Sequence, residues 1–400
     1  MDIKKEYIAI PDYALAVMNR LRDAGEEVYI VGGCVRDALL GISPHDYDMA
    51  VSCPPERTLE ILSHLRTVPT GLRHGTITAV SQGNPIELTT FRIDGSYTDM
   101  RRPDSVSFAS SIAEDLSRRD FTVNAMAYSH ETSLVDLFGG REDLDAKILR
   151  AVGEPKKRFC EDALRIMRAF RFSAQLGFEI EENTLSAAHE CKEGLESIAV
   201  ERIRAEFLRL ICSPYSLSPL LLMKKLGILT YVSKDYAPSD ELIALIAEMP
   251  NCEAARLGFY FCESSRELAA SMISRLRCSN KEKSGALAVV TGARTKFETP
   301  YDIRKLRARF GEHAGAVLHA SVLLGYTAPE MIAVLEDEHS PSTLSELALN
   351  GKDLSKLGIQ GRDIGEMMEY LLGEVIREPS LNTREELLSI ADRKRKEKEE

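Results

Sequence analysis

The sequence predicts an α/β N-terminal domain followed by a long all-α remainder. Three observations carry this reading. Short β-rich runs broken by turn signals fill the first 150 residues. Apolar residues recur at three- and four-residue spacing from about Glu161 onward. The chain has 400 residues, more than one hydrophobic core usually organises, so two to four domains are expected.

Val28-Tyr29-Ile30-Val31, Thr76-Ile77-Thr78-Ala79-Val80 and Ile86-Glu87-Leu88-Thr89-Thr90-Phe91 read as strands. Gly32-Gly33, Gly41 to Pro44, Gly83-Asn84-Pro85 and Asp94-Gly95 are the turns between them, with a helix expected over Pro55 to Leu65. Beyond Glu161, helical spacing covers Ala163 to Leu176, Ala199 to Ile211, Leu217 to Lys225 and Asp240 to Ala247. Asn382-Thr383 followed by Glu385-Glu386 predicts a helix start, and Arg393 to Glu400 a solvated charged tail. No fixed-period repeat is visible.

Composition narrows the function classes. Hydrophobic residues make up 44% and charged residues 28%, an ordinary soluble balance, and no apolar run approaches the ~20 residues a membrane helix needs. Met1 to Ile10 has no long apolar core, so no secretory leader is expected and the protein reads as cytoplasmic. Eight cysteines form no CxxC pair, as expected of free thiols in a reducing compartment, and no HxxxH pair suggests zinc. His45-Asp46 stands in a turn-rich stretch without the further ligands a histidine-based phosphohydrolase needs. The net charge of −11 argues against a wholly basic nucleic-acid binder. A local basic face suffices, however, and Arg150 to Arg171 is the best candidate: Arg150, Lys156, Lys157, Arg158, Arg165, Arg168 and Arg171 against Glu154, Glu161 and Asp162.

The strongest chemical signal is Val31-Gly32-Gly33-Cys34-Val35-Arg36-Asp37 followed by Asp46-Tyr47-Asp48. A β-run enters a Gly-Gly turn and Val35 to Leu40 reads as a helix, an arrangement that lets backbone N–H groups approach phosphate. Residues i and i+2 of a strand face the same side, so Asp46 and Asp48 would present two carboxylates together. Such a pair suits Mg²⁺, which takes one or two carboxylates plus substrate phosphates. Glu87 is the candidate for a third acid that helps to activate a hydroxyl. Arg36 and Arg119 are candidates for the triphosphate, the alternative being structural pairing with Asp37 and Asp120.

Gly32 to Asp37 with Asp46-Tyr47-Asp48 resembles the opening of the class II tRNA nucleotidyltransferase and bacterial poly(A) polymerase family. Four later segments resemble it in order: Arg118-Arg119-Asp120-Phe121-Thr122-Val123-Asn124-Ala125-Met126-Ala127, Asp136-Leu137-Phe138-Gly139-Gly140, Glu161-Asp162-Ala163-Leu164-Arg165-Ile166-Met167-Arg168-Ala169-Phe170-Arg171 and Glu201-Arg202-Ile203-Arg204-Ala205-Glu206. Asn350 to Leu354 and Gly361 to Gly373 are similar to the tail of the shorter bacterial CCA-adding branch. The resemblance implies a nucleotidyltransferase head over 1–150, a helical neck over 151–240 that reads the nucleotide base, and a helical body and tail over 241–400 that bind tRNA. It implies Mg²⁺ on Asp46 and Asp48, catalysis by these two with Glu87, and nucleotide binding by Gly33, Arg36, Arg119, Asp162, Arg165, Arg168 and Arg171. The implied reaction is template-independent addition of C, C and A to the tRNA 3′ end from CTP and ATP, releasing pyrophosphate.

The chemistry of the bases explains how side chains could replace a template. Cytosine and adenine both present an amino donor beside a ring-nitrogen acceptor; uracil and guanine present the reverse. An ionised Asp only accepts and an Arg only donates, so an Asp–Arg pair suits C and A. Read as one helix, Glu161 to Arg171 puts Asp162 and Arg165 on one face as i and i+3 neighbours, with Arg168 beside them and Arg171 nearly opposite Asp162 unless the helix bends. The alternative is a helix ion pair of Arg165 with Glu161 or Asp162.

Asp94 to Pro103 is polar and turn-rich and resembles the flexible loop of enzymes able to add the terminal A, while Gly71 to Thr76 resembles the CCA-adding branch. An Arg-rich run expected of bacterial poly(A) polymerases is absent. An enzyme adding only the terminal A after a separate CC-adding partner would look nearly the same. Two other classes are a small-molecule nucleotidyltransferase of the aminoglycoside type, which leaves Asp162–Arg165 and the helical remainder unexplained, and a non-catalytic RNA-binding relative, which would have lost a carboxylate.

Overall fold

A run as apolar as Val28-Tyr29-Ile30-Val31 has to be covered on both faces, and all four residues are buried. The computed structural model describes residues 7–71, 75–94, 106–109, 111–234 and 236–399. The N-terminal elements are α1 (Asp12–Asp23), β1 (Val28–Val31), α2 (Gly33–Leu39), β2 (Met49–Val51), α3 (Pro55–Ile61), β3 (Arg66–Gly71), β4 (Thr76–Ser81), β5 (Asn84–Thr90), β6 (Arg92–Asp94), β7 (Val106–Phe108), α4 (Ile112–Ser117), β8 (Met126–Ser129), β9 (Ser133–Asp136) and α5 (Gly140–Ala146). Seven strands form one mixed sheet in the order β3-β4-β5-β2-β1-β8-β9. The β2–β5 pair is parallel and the others are antiparallel.

Alternation along the strands decides what each face carries. Val28, Ile30, Met49, Val51, Ile77, Ala79, Ile86 and Leu88 turn to one face, where Ala14, Val17, Met18 and Leu21 of α1 pack on them. Tyr29, Val31, Ala50 and Ala127 turn to the other, under Phe91, Ala109 and Leu116. Asp48 and Glu87 each precede a residue of the first face by one position, so both project from the second. Met49 lies opposite Leu88 in the parallel β2–β5 ladder, which sets Asp48 beside Glu87.

The helical part begins with β10 (Ile148–Leu149), α6 (Pro155–Glu161), α7 (Leu164–Leu176), β11 (Glu179–Ile180), α8 (Glu182–Glu190), α9 (Val200–Ile211), α10 (Leu217–Lys225) and α11 (Thr230–Ser233). The expected single helix from Glu161 to Arg171 is therefore interrupted. Asp162 leaves helical geometry, with φ −143° and ψ 103°, between the end of α6 and the start of α7. Its Oδ1 accepts the Leu164 N–H at 3.0 Å, an Asp serving a free N–H near a helix start.

The chain divides into two compact units, Met1–Asp235 and Tyr236–Glu400. The second unit is helical throughout its described elements: α12 (Asp240–Leu245), α13 (Glu253–Tyr260), α14 (Arg266–Arg275), α15 (Asn280–Gly292), α16 (Pro300–Phe310), α17 (Ala314–Leu323), α18 (Glu330–Asp337), α19 (Gly351–Lys356), α20 (Arg362–Arg377) and α21 (Arg384–Glu399). Thr383 caps α21 by accepting the Glu386 N–H at 3.3 Å, where the sequence places a helix start. Among the described residues no helix is long and apolar enough to cross a membrane.

Helices α13 and α15 meet closely because Gly258 has no side chain. A Cβ there would lie 2.8 Å from Val289 Cβ and closer still to the Ala286 carbonyl oxygen. Gly258→Ala is expected to lower the stability of the second unit by about 1–3 kcal/mol through overpacking, read as a lower midpoint in chemical denaturation. An unchanged midpoint would refute the close packing.

Candidate active site

Gly32 takes φ 74° at the end of β1, a backbone open to glycine, and its N–H bonds the Met126 carbonyl at 3.1 Å. A Cβ on it would meet Arg119 Nη1 at 2.7 Å, so the turn admits the Arg119 guanidinium against its backbone. Gly33 opens α2, and nothing but Arg36 Nη2 lies near its missing side chain, at 3.7 Å.

Asp46-Tyr47-Asp48 extends β2 backwards: the Asp48 carbonyl accepts the Val31 N–H at 3.0 Å. Tyr47 turns into the core while Asp46 and Asp48 stay in contact with solvent. Burial around the Asp48 carboxyl, joined by the charges of Asp46 and Glu87, pushes it up to about 6, with Arg119 opposing. Asp46 and Glu87 thus lie near enough to act on the Asp48 charge, and carboxylates so placed suit a hard divalent cation. No group of three or more His, Cys, Asp or Glu among the described residues could hold an ion by itself. A cation here would complete its shell with water and phosphate oxygens, which is how Mg²⁺ is usually held.

The arginines divide into two kinds. Arg119 donates to Asp115 Oδ2 at 3.1 Å and weakly to the Asn124 carbonyl at 3.4 Å, while its buried Nε has no partner. It is the phosphate candidate closest to the acids. Arg36 is only 9% exposed; it bonds Asp37 at 2.8 Å through Nε and Asn124 Oδ1 at 2.6 Å through Nη1. The pairing with Asp37 raised by the sequence is thus made, and Arg36 serves the architecture.

Asp120 belongs to the same architecture. It accepts from Asn124 Nδ2 at 3.2 Å and from Arg168 through Nε at 2.8 Å and Nη2 at 2.6 Å. Burial alone would raise this carboxyl, yet Arg168 and Asn124 hold it down at about 2. Arg168 thus joins α7 to the segment after α4. Arg171 is buried in an ion pair with Glu206 of α9 and also bonds Gln175 at 2.7 Å. Both arginines make their hydrogen bonds to these groups and none to Asp162.

Asp162 and Arg165 do not pair with each other. Arg202 of α9 donates to Asp162 Oδ2 at 3.0 Å. Arg165 Nη1 donates to Glu161 at 2.7 Å and to the Arg158 carbonyl at 2.9 Å, and Nη2 to the Arg118 carbonyl at 2.9 Å. The helix ion pair with Glu161 is therefore present. These bonds use three of Arg165's five N–H groups and leave Nε–H and one Nη2–H, while Asp162 keeps acceptor capacity on both oxygens.

Most cations of the basic stretch are paired with acids. Arg150 pairs with Asp143, Lys156 with Glu190 and Arg158 with Glu161, besides the pairs above. Sequence reasoning missed Arg202, Asp115, Asn124 and Phe172. The Phe172 ring lies under the guanidinium groups of Arg36, Arg168 and Arg171 at 5.3, 5.2 and 3.9 Å. Its helical spacing marks it only as apolar. Asp136 caps α5, accepting from Gly140 and Arg141 N–H at 2.8 Å each. Most of Asp94 to Pro103 and Leu72-Arg73-His74 lie outside the described residues.

A mixed sheet that carries three crowded acids beside a Gly-Gly turn, and that leads into helices holding an Asp and an Arg with free bonding capacity, is the arrangement of a nucleotidyltransferase. Residues 28–150 match the Poly A polymerase head domain, and residues 177–239 match the "Probable RNA and SrmB- binding site of polymerase A". The chain is 36% identical over 387 residues to the CCA-adding enzyme of Limosilactobacillus fermentum, covering 94% of this chain and 96% of that one. It is 34% identical over 417 residues to the CCA-adding enzyme of Ligilactobacillus salivarius, at 97% and 98% coverage. Its structure resembles that of the Bacillus stearothermophilus CCA-adding enzyme in complex with CTP, with a TM-score of 0.80, 29% identity, and coverage of 97% of this chain and 98% of that one. The chain belongs to the CCA-adding enzyme family.

Removing one member of a buried ion pair strands the other charge, at a cost of about 3–5 kcal/mol. Arg171→Ala and Glu206→Ala are each expected to lower stability by an amount of that order, while relative kcat/KM values for the four nucleotides stay at wild-type ratios. A change in those ratios without loss of stability would return Arg171 to the nucleotide.

Proposed function

We propose that this enzyme adds C, C and then A to the 3′ end of tRNA from CTP and ATP, with pyrophosphate as the other product. The observation that supports the reading best is the crowding of Asp46, Asp48 and Glu87 beside the Gly32-Gly33 turn, with Asp48 pushed up to about 6. Asp46 and Asp48 would hold Mg²⁺, which when bound supplies positive charge to the triphosphate and lowers the pKa of the attacking hydroxyl. The 3′ oxygen attacks the α-phosphorus and the bond to pyrophosphate breaks. Glu87, on the same face, receives the hydroxyl proton, and Arg119 is the residue that would meet phosphate.

Base choice rests on Asp162 and Arg165. Glu161 and two backbone carbonyls hold the Arg165 guanidinium so that its remaining N–H groups meet cytosine N3 or adenine N1. Asp162, steadied by Arg202, accepts from the amino group. Against uracil or guanine the same side chains face like partners, and buried groups stay unsatisfied. The head over 1–150 carries the chemistry, the neck over 151–240 reads the base, and the body and tail over 241–400 hold tRNA in the cytoplasm.

Two expected outcomes follow from the chemistry. Asp48→Asn removes a charge from the crowded acids, so in magnesium-free buffer it raises the melting temperature by roughly 2–4 °C, about what 1 kcal/mol shifts in a domain of this size, while abolishing nucleotide addition. A lower melting temperature with retained turnover would sink the metal assignment. Arg165→Ala and Asp162→Ala each lower addition of C and A and narrow the margin against U and G by roughly tenfold to a hundredfold, the worth of one charge-assisted hydrogen bond. The measurement is kcat/KM for all four nucleotides on tRNA ending before CCA. Constant ratios at reduced activity would mean that the pair does not read the base. Labelled CTP and ATP on the same RNA also separate full CCA addition from addition of A alone.

A further inference from the structure

Cys160 stands in the last turn of α6, exposed, and Cys191 caps α8, half-buried. Their sulfurs are 3.8 Å apart although the residues are 31 positions apart in sequence. A disulfide needs about 2.05 Å, so the sulfurs have to close by about 1.8 Å, within reach of side-chain rotation and a small shift of one helix end. The Cys191 thiol also points at the Lys156 carbonyl at 3.9 Å, and the Lys156 ammonium bonds Glu190 at 3.0 Å, one residue before Cys191. The pair therefore sits at a seam where α6 is already fastened to α8 by charge.

We propose that Cys160 and Cys191 are a redox modification site, at which a hydroperoxide drives a reversible disulfide that slows nucleotide addition. Cys160 is the entry point because it is the exposed thiol. Cys191, half-buried and held up as a thiol by burial and the neighbouring Cys160, is the second partner, which gives up its proton as it attacks. The Cys160 thiolate attacks the terminal peroxide oxygen, the O–O bond breaks, and Cys160 becomes a sulfenic acid with release of the alkoxide, or of hydroxide from hydrogen peroxide, which takes up a proton. The Cys191 sulfur then attacks the sulfenic sulfur, the S–S bond forms, and the sulfenic oxygen leaves as water after taking up a proton. In total two thiols and one hydroperoxide give one disulfide, one water and the peroxide's alcohol or, for hydrogen peroxide, a second water. Each sulfur is oxidised by one electron and the peroxide is reduced by two.

The consequence for activity follows from what adjoins Cys160. Glu161, the next residue, bonds both Arg158 and Arg165, and Asp162 follows at the break between α6 and α7. Drawing the end of α6 toward α8 shifts the carboxylate that holds Arg165. A displacement of about 1 Å in a positioning group can cost a hundredfold in rate, so a tenfold loss is a modest expectation.

The test oxidises the full chain, first reduced and freed of reductant, with hydrogen peroxide, caps remaining thiols, and maps peptides without reduction. Nucleotide addition to tRNA lacking CCA is measured on the same samples. The expected result is a peptide joining Cys160 to Cys191, a fall in addition of roughly tenfold, and recovery with dithiothreitol. C160S and C191S are expected to keep their reduced activity and to lose neither activity nor thiols at this seam as a cross-link. Exposed Cys252 serves as the internal control that oxidant reached the protein. Absence of the linked peptide while Cys252 is oxidised overturns the proposal. So does a linked peptide with unchanged activity, or an equal activity loss in C191S. The inference relies on the proposed function only for its activity readout. If the reduced protein adds no nucleotide to tRNA, that function fails by itself, and the peptide map still decides the disulfide.

Discussion

One chain of hydrogen bonds between charged and polar side chains, buried or half-buried, sets the geometry of the first unit. It runs from Asp37 through Arg36 and Asn124 to Asp120 and on to Arg168, with each link at 3.2 Å or less. Charges taken out of water are costly unless each finds its partner, so none of these side chains can move alone. The chain spans α2, the turn at Thr122–Asn124 and α7. It thereby fixes the Gly-Gly turn relative to the helix break at Asp162. Phe172 closes the arrangement by placing one aromatic ring under three guanidinium groups.

Against that satisfied network the acids at the sheet edge stand out. Asp120 and Asp48 are the same residue type with opposite environments. Burial pushes both up, but Asp120 has two Arg168 nitrogens and Asn124 on it and is held at about 2, whereas Asp48 has the charges of Asp46 and Glu87 near it and is pushed up to about 6. Folding does not need the second arrangement, which raises the energy of the free protein. A cation bound among these carboxylates would relieve it, as expected when binding requires deprotonated ligands. The arginines differ less sharply. Arg36, Arg119, Arg165, Arg168 and Arg171 all have an acid partner, but Arg119 also keeps a buried nitrogen without a partner and Arg165 keeps two N–H groups free.

Much of this was legible in the residue order because it depends on local rules. Strand alternation puts Asp46 and Asp48 on one side, a Gly-Gly pair after an apolar run makes a tight turn, and three- and four-residue spacing marks the helices beyond Glu161. The α/β head, the helical remainder and the pairing of Asp46 with Asp48 follow from these rules, and the placing of Glu87 beside them agrees with the parallel register of β2 and β5. What the residue order did not reveal is which charges are partners across long sequence distance. Arg168 finds Asp120 across 48 positions, Arg202 finds Asp162 across 40, and Arg36 finds Asn124 across 88.

The segment from Glu161 to Arg171 shows the division most clearly. By itself the sequence determined that this stretch is helical, apolar on one side and rich in Arg. A single helix continues the spacing without a breaker, since no Gly or Pro interrupts it. Only the tertiary structure decided that the helix stops at Asp162. The Asp162 carboxylate caps the Leu164 N–H locally and also bonds Arg202 of another helix, and the second bond exists only once α9 is packed beside α7. Propensity differences of less than ~1 kcal/mol per residue cannot resist such bonds, so the break belongs to the packed chain.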